Sequence, residues 1–200
     1  MEKLDQLTDL LQQRLFVEVE ASGRHVHLTE EQVQRLFGHA LTPAKELSQP
    51  GQFAAKERVT IKGPKGTLRH VAVLGPCRPQ AQVEVSLTDA RMLGIDPPIR
   101  LSGDVQGTPG CVIEGDCGSV DLTSGVIAAK RHIHMSQEDA RRQNVKNGDV
   151  VSLKMLTDRP VIFEDLAVRV HPMFQTAVHL DYDEANACSW RKGDLGMILK

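Results

Sequence analysis

Two tripeptides carry the clearest chemistry in this chain: His25-Val26-His27 and His132-Ile133-His134. Each follows an arginine and precedes a helix start, in GRHVHLTEEQ and KRHIHMSQED. In a strand, residues i and i+2 point to the same side, so each pair of imidazoles can converge on one ion. Imidazole nitrogen suits zinc, cobalt, nickel or copper, and three protein ligands leave a position open for water or substrate. Half of the eight histidines fall in these two tripeptides. His39, His70 and His171 show no such pattern and read as surface or packing residues.

A single His-x-His reads more readily as a histidine pair bonded to backbone carbonyls. Repetition moves the balance toward metal. Downstream, EVSLTDARMLGI begins at Glu84 and HLDYDEANACSW begins at His179. Both carry an acidic residue further on, Asp89 and Glu184, followed by Ala90 and Ala185. The duplication sets Glu84 and His179 in equivalent places, so each half offers two histidines and a possible third ligand. Arg78 lies shortly before Glu84 in the turn LGPCRP. A guanidinium on a rigid turn suits bidentate phosphate binding, although the segment alone reads more simply as a surface arginine. Walker A, GxGxxG, HExxH and GxSxG patterns are absent, so the functions they mark have no support.

The elements that must hold these residues are short. Val17 and Val19 alternate with Glu18 and Glu20, as in a half-exposed strand. RVTIKG, HVAVLG, QVEVS, VVSLKM and LAVRVH follow, separated by the turn signals GPKG, DPP, GTPG, KNGD and KGD. Thr29 with Gln32, and Ser136 with Asp139, occupy capping-box positions just after each His-x-His. The expected fold is mainly β: two related β-barrels or sandwiches with short capping helices. Leu4, Leu7, Leu11 and Leu15 form one stripe, so residues 1–15 read as an amphipathic helix that packs on its own domain or docks on a partner.

Composition narrows the function classes. The net charge of −2 provides no global attraction to nucleic acid or acidic membranes, so an anionic substrate needs local cations. Aromatic residues at 4% leave little for base stacking. Cys77, Cys111, Cys117 and Cys188 form neither CxxC nor zinc-ribbon spacing and read as reduced thiols. No apolar run approaches the roughly 18 residues of a membrane span, and no secretory h-region opens the chain. The expectation is a cytoplasmic, soluble protein without nucleic-acid or membrane partners. On residues alone it is a metal-dependent enzyme on a duplicated β fold, with a dinuclear hydrolase and a zinc-stabilised scaffold as competing readings.

RHVHL, ELSQPGQFAAKERVTIKGPKG, LGPCR, QVEVSLTDARMLGI, GTPG, SGVIAAKRHIHMS and HLDYDEANA together resemble the PduL-type phosphotransacylases, the phosphate propanoyltransferases. The resemblance runs from about residue 20 to 190. It implies reversible transfer of an acyl group, propanoyl ahead of acetyl, between coenzyme A and inorganic phosphate at two zinc ions. His25, His27 and Glu84 match the first zinc site; His132, His134 and His179 match the second. Arg78 matches the phosphate-binding arginine. Ala21, Ser22, Gly23 and Asn186 match coenzyme A contacts, although Gly23 stands where the family often has asparagine, and Lys65 in GPKG is a further candidate partner for the coenzyme A phosphates. The resemblance also implies two β-barrel domains, 24–129 and 16–23 with 130–200. It further implies that helix 1–15 engages shell proteins and directs the enzyme to the lumen of a bacterial microcompartment.

Overall fold

The computed structural model describes residues 16–200; the expected helix over 1–15 lies outside the described residues. The chain divides into two compact units, one of residues 16–22 with Arg131–Lys200, the other Gly23–Lys130. In the first half of the chain the strands are β1 (Val17–Ala21), β2 (His25–His27), β3 (Pro43–Glu46), β4 (Phe53–Lys62), β5 (Thr67–Gly75), β6 (Gln82–Val85) and β7 (Ile99–Arg100). Then come β8 (Cys111–Glu114), β9 (Ser119–Leu122), β10 (Val126–Ala129), β11 (His132–Met135), β12 (Val150–Met155), β13 (Ile162–Val170), β14 (Ala177–Leu180) and β15 (Leu195–Leu199). Short helices span Glu30–Phe37, Leu87–Leu93, Gln137–Arg142 and Tyr182–Ala187.

The unit with residues 131–200 is a closed barrel in the order β1-β14-β11-β13-β12-β15. Val17 and Val19 of β1 turn inward while Glu18 faces solvent, the period-2 alternation of a strand with one buried side. β1 runs parallel to β14 and antiparallel to β15, and β15 also pairs with β12, which closes the ring. Closure leaves no barrel strand with an unpaired edge. Ile133, Leu153, Met155, Leu166 and Val178 fill the interior, and Trp190 packs against them while its indole N–H donates to Val19 O at 2.8 Å.

The other unit is a nine-stranded sheet ordered β7-β10-β6-β2-β5-β4-β8-β9, with β3 beside β4. Its ladder is open among the described residues, where β7 and β9 each pair on one side only. The mainly β architecture with short helices is as expected, with one closed barrel and one sheet that curls partway. β2 and β6 lie inside this sheet and are buried along their whole length. The helix Glu30–Phe37 starts where sequence places it. Thr29 accepts from Gln32 N–H, and the Gln32 side chain accepts from Thr29 N–H. Val33, Leu36 and Phe37 pack into the core, and Gly38 ends the helix in the left-handed conformation at φ 73°. A helix so capped holds the end of β2 in place. The second His-x-His strand is followed by a looser start. Ser136 accepts from Asp139 N–H, but the Asp139 carboxylate accepts from the Ser136 and Thr176 hydroxyls instead of reaching back.

Candidate metal centres and anion recess

β2 lies between β6, antiparallel, and β5, parallel. The register sets His25 opposite Glu84 and His27 opposite Gln82. Directly paired residues share a face, as do residues i and i+2, so His25, His27, Gln82 and Glu84 all project from one side. Val26, between the two histidines, goes to the other side and is buried in the core. Glu84 Oε1 lies 3.4 Å from His25 Nε2 and 4.0 Å from His27 Nε2.

All three side chains are buried. His25 Nδ1 is 2.8 Å from Gly23 O; a carbonyl only accepts, so Nδ1 carries a proton and Nε2 is the nitrogen left to meet a metal. His27 Nδ1 is buried facing the Leu74 carbonyl without reaching hydrogen-bond geometry. Burial, with the charges of His25 and Arg78, holds the His27 pKa down at about 3, so the ring is neutral at pH 7 and able to ligate. On His25 burial is again the largest single influence and pulls downward, but the Glu84 carboxylate and the Gly23 carbonyl act together against it and the net direction is up. Two imidazoles and a carboxylate with ligand atoms within 4.8 Å of one another form a three-ligand donor set that fits zinc.

The second triad repeats this geometry in the other unit. β11 lies between β14, antiparallel, and β13, parallel. His132 is opposite His179, as His25 is opposite Glu84. On the parallel side an alanine faces the first histidine in both cases, Ala72 for His25 and Ala167 for His132. The His132, His134 and His179 rings lie 4.7 to 5.0 Å apart by centroid, and their ligand atoms also fall within 4.8 Å. Three imidazoles fit the same borderline-soft cations. Glu20 of β1 is in register with His179, with Oε2 3.7 Å from its Nδ1, and Phe174 covers His134 at 4.3 Å between ring centroids.

Arg78 sits on the turn between β5 and β6. Its backbone N–H donates to Leu28 O at 2.9 Å, which ties the turn to the residue following His27. Its Nη1 donates to Ser102 Oγ at 3.1 Å. Arg78 and His27 line a recess of about 140 Å³ with Gln52, Gly75 and Pro76. Arg78 also borders a cavity of about 250 Å³ with Gln82, Gly103 and Val105. A fixed cation beside neutral ring and amide groups is an anion-binding arrangement. Cys77, next in sequence, is no ready nucleophile: burial, then the Glu30 charge, pushes its thiol pKa upward.

The other residues singled out from sequence lie elsewhere. Ala21 ends β1, and Ser22 N–H donates to Leu180 O at 2.7 Å. Gly23 supplies the carbonyl that orients His25. Asn186 is exposed on the helix Tyr182–Ala187. Lys65 lies in the turn between β4 and β5, where its N–H donates to Leu93 O and its stem covers Gly94. Sequence reasoning missed Gln82, Ser102, Gln52, Glu20 and Phe174. Gln82 carried a signal, being two residues from Glu84 on one strand; Ser102 and Gln52 carried none. No helix among the described residues is long and apolar enough to cross a membrane.

The family model for phosphate propanoyltransferase matches residues 18–191. A protein of Clostridioides difficile (strain 630) named phosphate propanoyltransferase is 50% identical over 201 residues, covering 100% of this chain and 96% of the relative. One of the same name from Leptotrichia buccalis is 53% identical, covering 100% of this chain and 95% of its own. A third, from Thermotoga maritima, is 49% identical with 100% and 97% coverage. With a family model and full-length relatives in agreement, this chain belongs to the phosphate propanoyltransferase family and is a phosphate acyltransferase.

Proposed function

We propose that this chain transfers a propanoyl group reversibly between coenzyme A and inorganic phosphate, with one zinc ion held by His25, His27 and Glu84 and another by His132, His134 and His179. The observation that carries the zinc assignment is the matched register: each His-x-His strand faces a third ligand across an antiparallel ladder. Each half, 24–129 and 16–23 with 130–200, then acts as a domain carrying one metal.

Zinc, when bound, supplies Lewis acidity toward sulfur and oxygen ligands. The protein's own part is positioning. Arg78 binds phosphate, offsets its charge and aims one oxygen at the thioester carbonyl. The new C–O bond forms as the C–S bond breaks, and coenzyme A leaves as thiolate. Holding two reactants in this way is worth about 7–11 kcal/mol of the barrier. With Cys77 kept as thiol, direct attack within a ternary complex is the favoured route. Ala21, Ser22, Gly23, Asn186 and Lys65 would contact coenzyme A. Residues 1–15 would bind shell proteins and place this cytoplasmic enzyme in a microcompartment lumen; a fluorescent fusion that stays diffuse in compartment-forming cells would count against that role.

The test follows coenzyme A release from propanoyl-coenzyme A, with and without phosphate, before and after chelation and zinc restoration. Release requiring both is expected. Metal-dependent release without phosphate would make the chain a hydrolase, and full release after chelation would remove zinc from the reading.

A further inference from the structure

We propose that Gln82 is a positioning residue that couples the metal ligand Glu84 to the phosphate-binding Arg78; this rests on the function proposed above. Gln82 is only 2% exposed, and every polar atom of its side chain has a partner. Gly103 N–H donates to Gln82 Oε1 at 2.7 Å, and an N–H only donates, so the amide orientation is determined. Gln82 Nε2 must then face the other way, where it donates to Glu84 Oε1 and, at 2.8 Å, to Ser102 Oγ. Ser102 Oγ is also the acceptor for Arg78 Nη1. One buried amide thus aims the carboxylate of the first triad and, through one hydroxyl, the guanidinium of the anion recess. The 102–103 segment is the clamp that holds it. Because both arms run through a single side chain, metal affinity and phosphate affinity should shift together when it is removed.

Gln82→Met keeps the length and deletes all three hydrogen bonds. Zinc is drawn off with a chromogenic chelator, so that each site reports its own affinity, and phosphate KM is measured on the zinc-loaded protein. Affinity at the Glu84 site is expected to fall about 10- to 100-fold with the His179 site unmoved. Phosphate KM is expected to rise about five- to tenfold in the same variant. Ser102→Ala cuts only the arm to Arg78, so phosphate KM should rise while zinc affinity holds. A folded Gln82→Met protein that shifts only one quantity, or neither, overturns the coupling. Ser102 is half-exposed, so its variant is read even where Gln82→Met does not fold, and an unchanged phosphate KM there also overturns it. Failure of the underlying reading looks different: the parent protein would itself bind no zinc at the first triad or cleave acyl-coenzyme A without phosphate.

Discussion

Glu84 stands directly across an antiparallel ladder from His25, with its Oε1 3.4 Å from the ring Nε2. His179 holds the same place relative to His132. The two halves thus differ in the chemistry of one candidate ligand, a carboxylate against an imidazole, while sharing its backbone position. Replacing either third ligand should empty one site and spare the other. Glu84→Ala and His179→Ala are each expected to reduce bound zinc from two equivalents to one, read by metal analysis after dialysis. Loss of both ions from either variant would show that the sites do not load independently.

Arg78 is held by its backbone to Leu28 and by its side chain to Ser102. Arg78→Ala should raise phosphate KM about 10- to 100-fold, matching a charged hydrogen bond of about 1.5–3 kcal/mol. Arg78→Lys should recover only part of this, since an ammonium is a point charge without the planar fork. Initial rates across a phosphate series decide it, and unchanged phosphate kinetics in Arg78→Ala would contradict the role.

Direct attack by phosphate predicts that no cysteine carries the acyl group. Cys77→Ser should retain most of the activity, because the thiol pKa at that site is raised rather than lowered. Mass spectrometry of the parent protein quenched during turnover should show no acylated species. A propanoyl adduct on Cys77 would replace the ternary mechanism with a two-step one.

Cys111 is expected to weaken the fold at alkaline pH. Burial pushes its pKa from 9.0 to about 12, so the folded state resists ionisation that the unfolded chain undergoes freely. This contribution is intact below pH 9 and is lost as pH rises from 9 toward 12, by at most about 1.4 kcal/mol per pH unit. Denaturant melts of parent and Cys111→Ala should therefore converge across that interval. In native protein at pH 8, a thiol reagent should label exposed Cys117 and reach buried Cys111 only after unfolding.

Leu153 is fully buried in the barrel interior. Leu153→Ala should cost about 2–5 kcal/mol through lost burial and a residual cavity. Trp190, the only tryptophan, packs on that core, so its fluorescence follows the transition.

Local pattern carried much of what could be read in advance. Alternation along a strand places His25 with His27, and His132 with His134, on shared faces, because side-chain period depends only on neighbouring residues. The Thr29 and Gln32 capping pair marks a helix start for the same reason, since its hydrogen bonds close within three residues. The near-repeat makes Glu84 and His179 counterparts without reference to register.

Long-range pairing was beyond such reasoning. Nothing in VEVEA states that it lies parallel to β14 and antiparallel to β15, or that this closes one ring while the similar strands of the other half leave an open ladder. Strand pairing is chosen by burial summed over the whole unit, not by the strand itself. Gln82 and Ser102 show the same limit at the site. An amide and a hydroxyl twenty positions apart carry no mark of chemistry in sequence, and only the approach of the 102–103 segment to β6 joins them into one hydrogen-bonded chain between Glu84 and Arg78. Residue identity and local periodicity are enough to say which side chains can take metal or phosphate and on which faces they stand; which of those faces meet is a property of the folded chain, because hydrogen-bond partners between distant segments exist only after the chain has closed on itself.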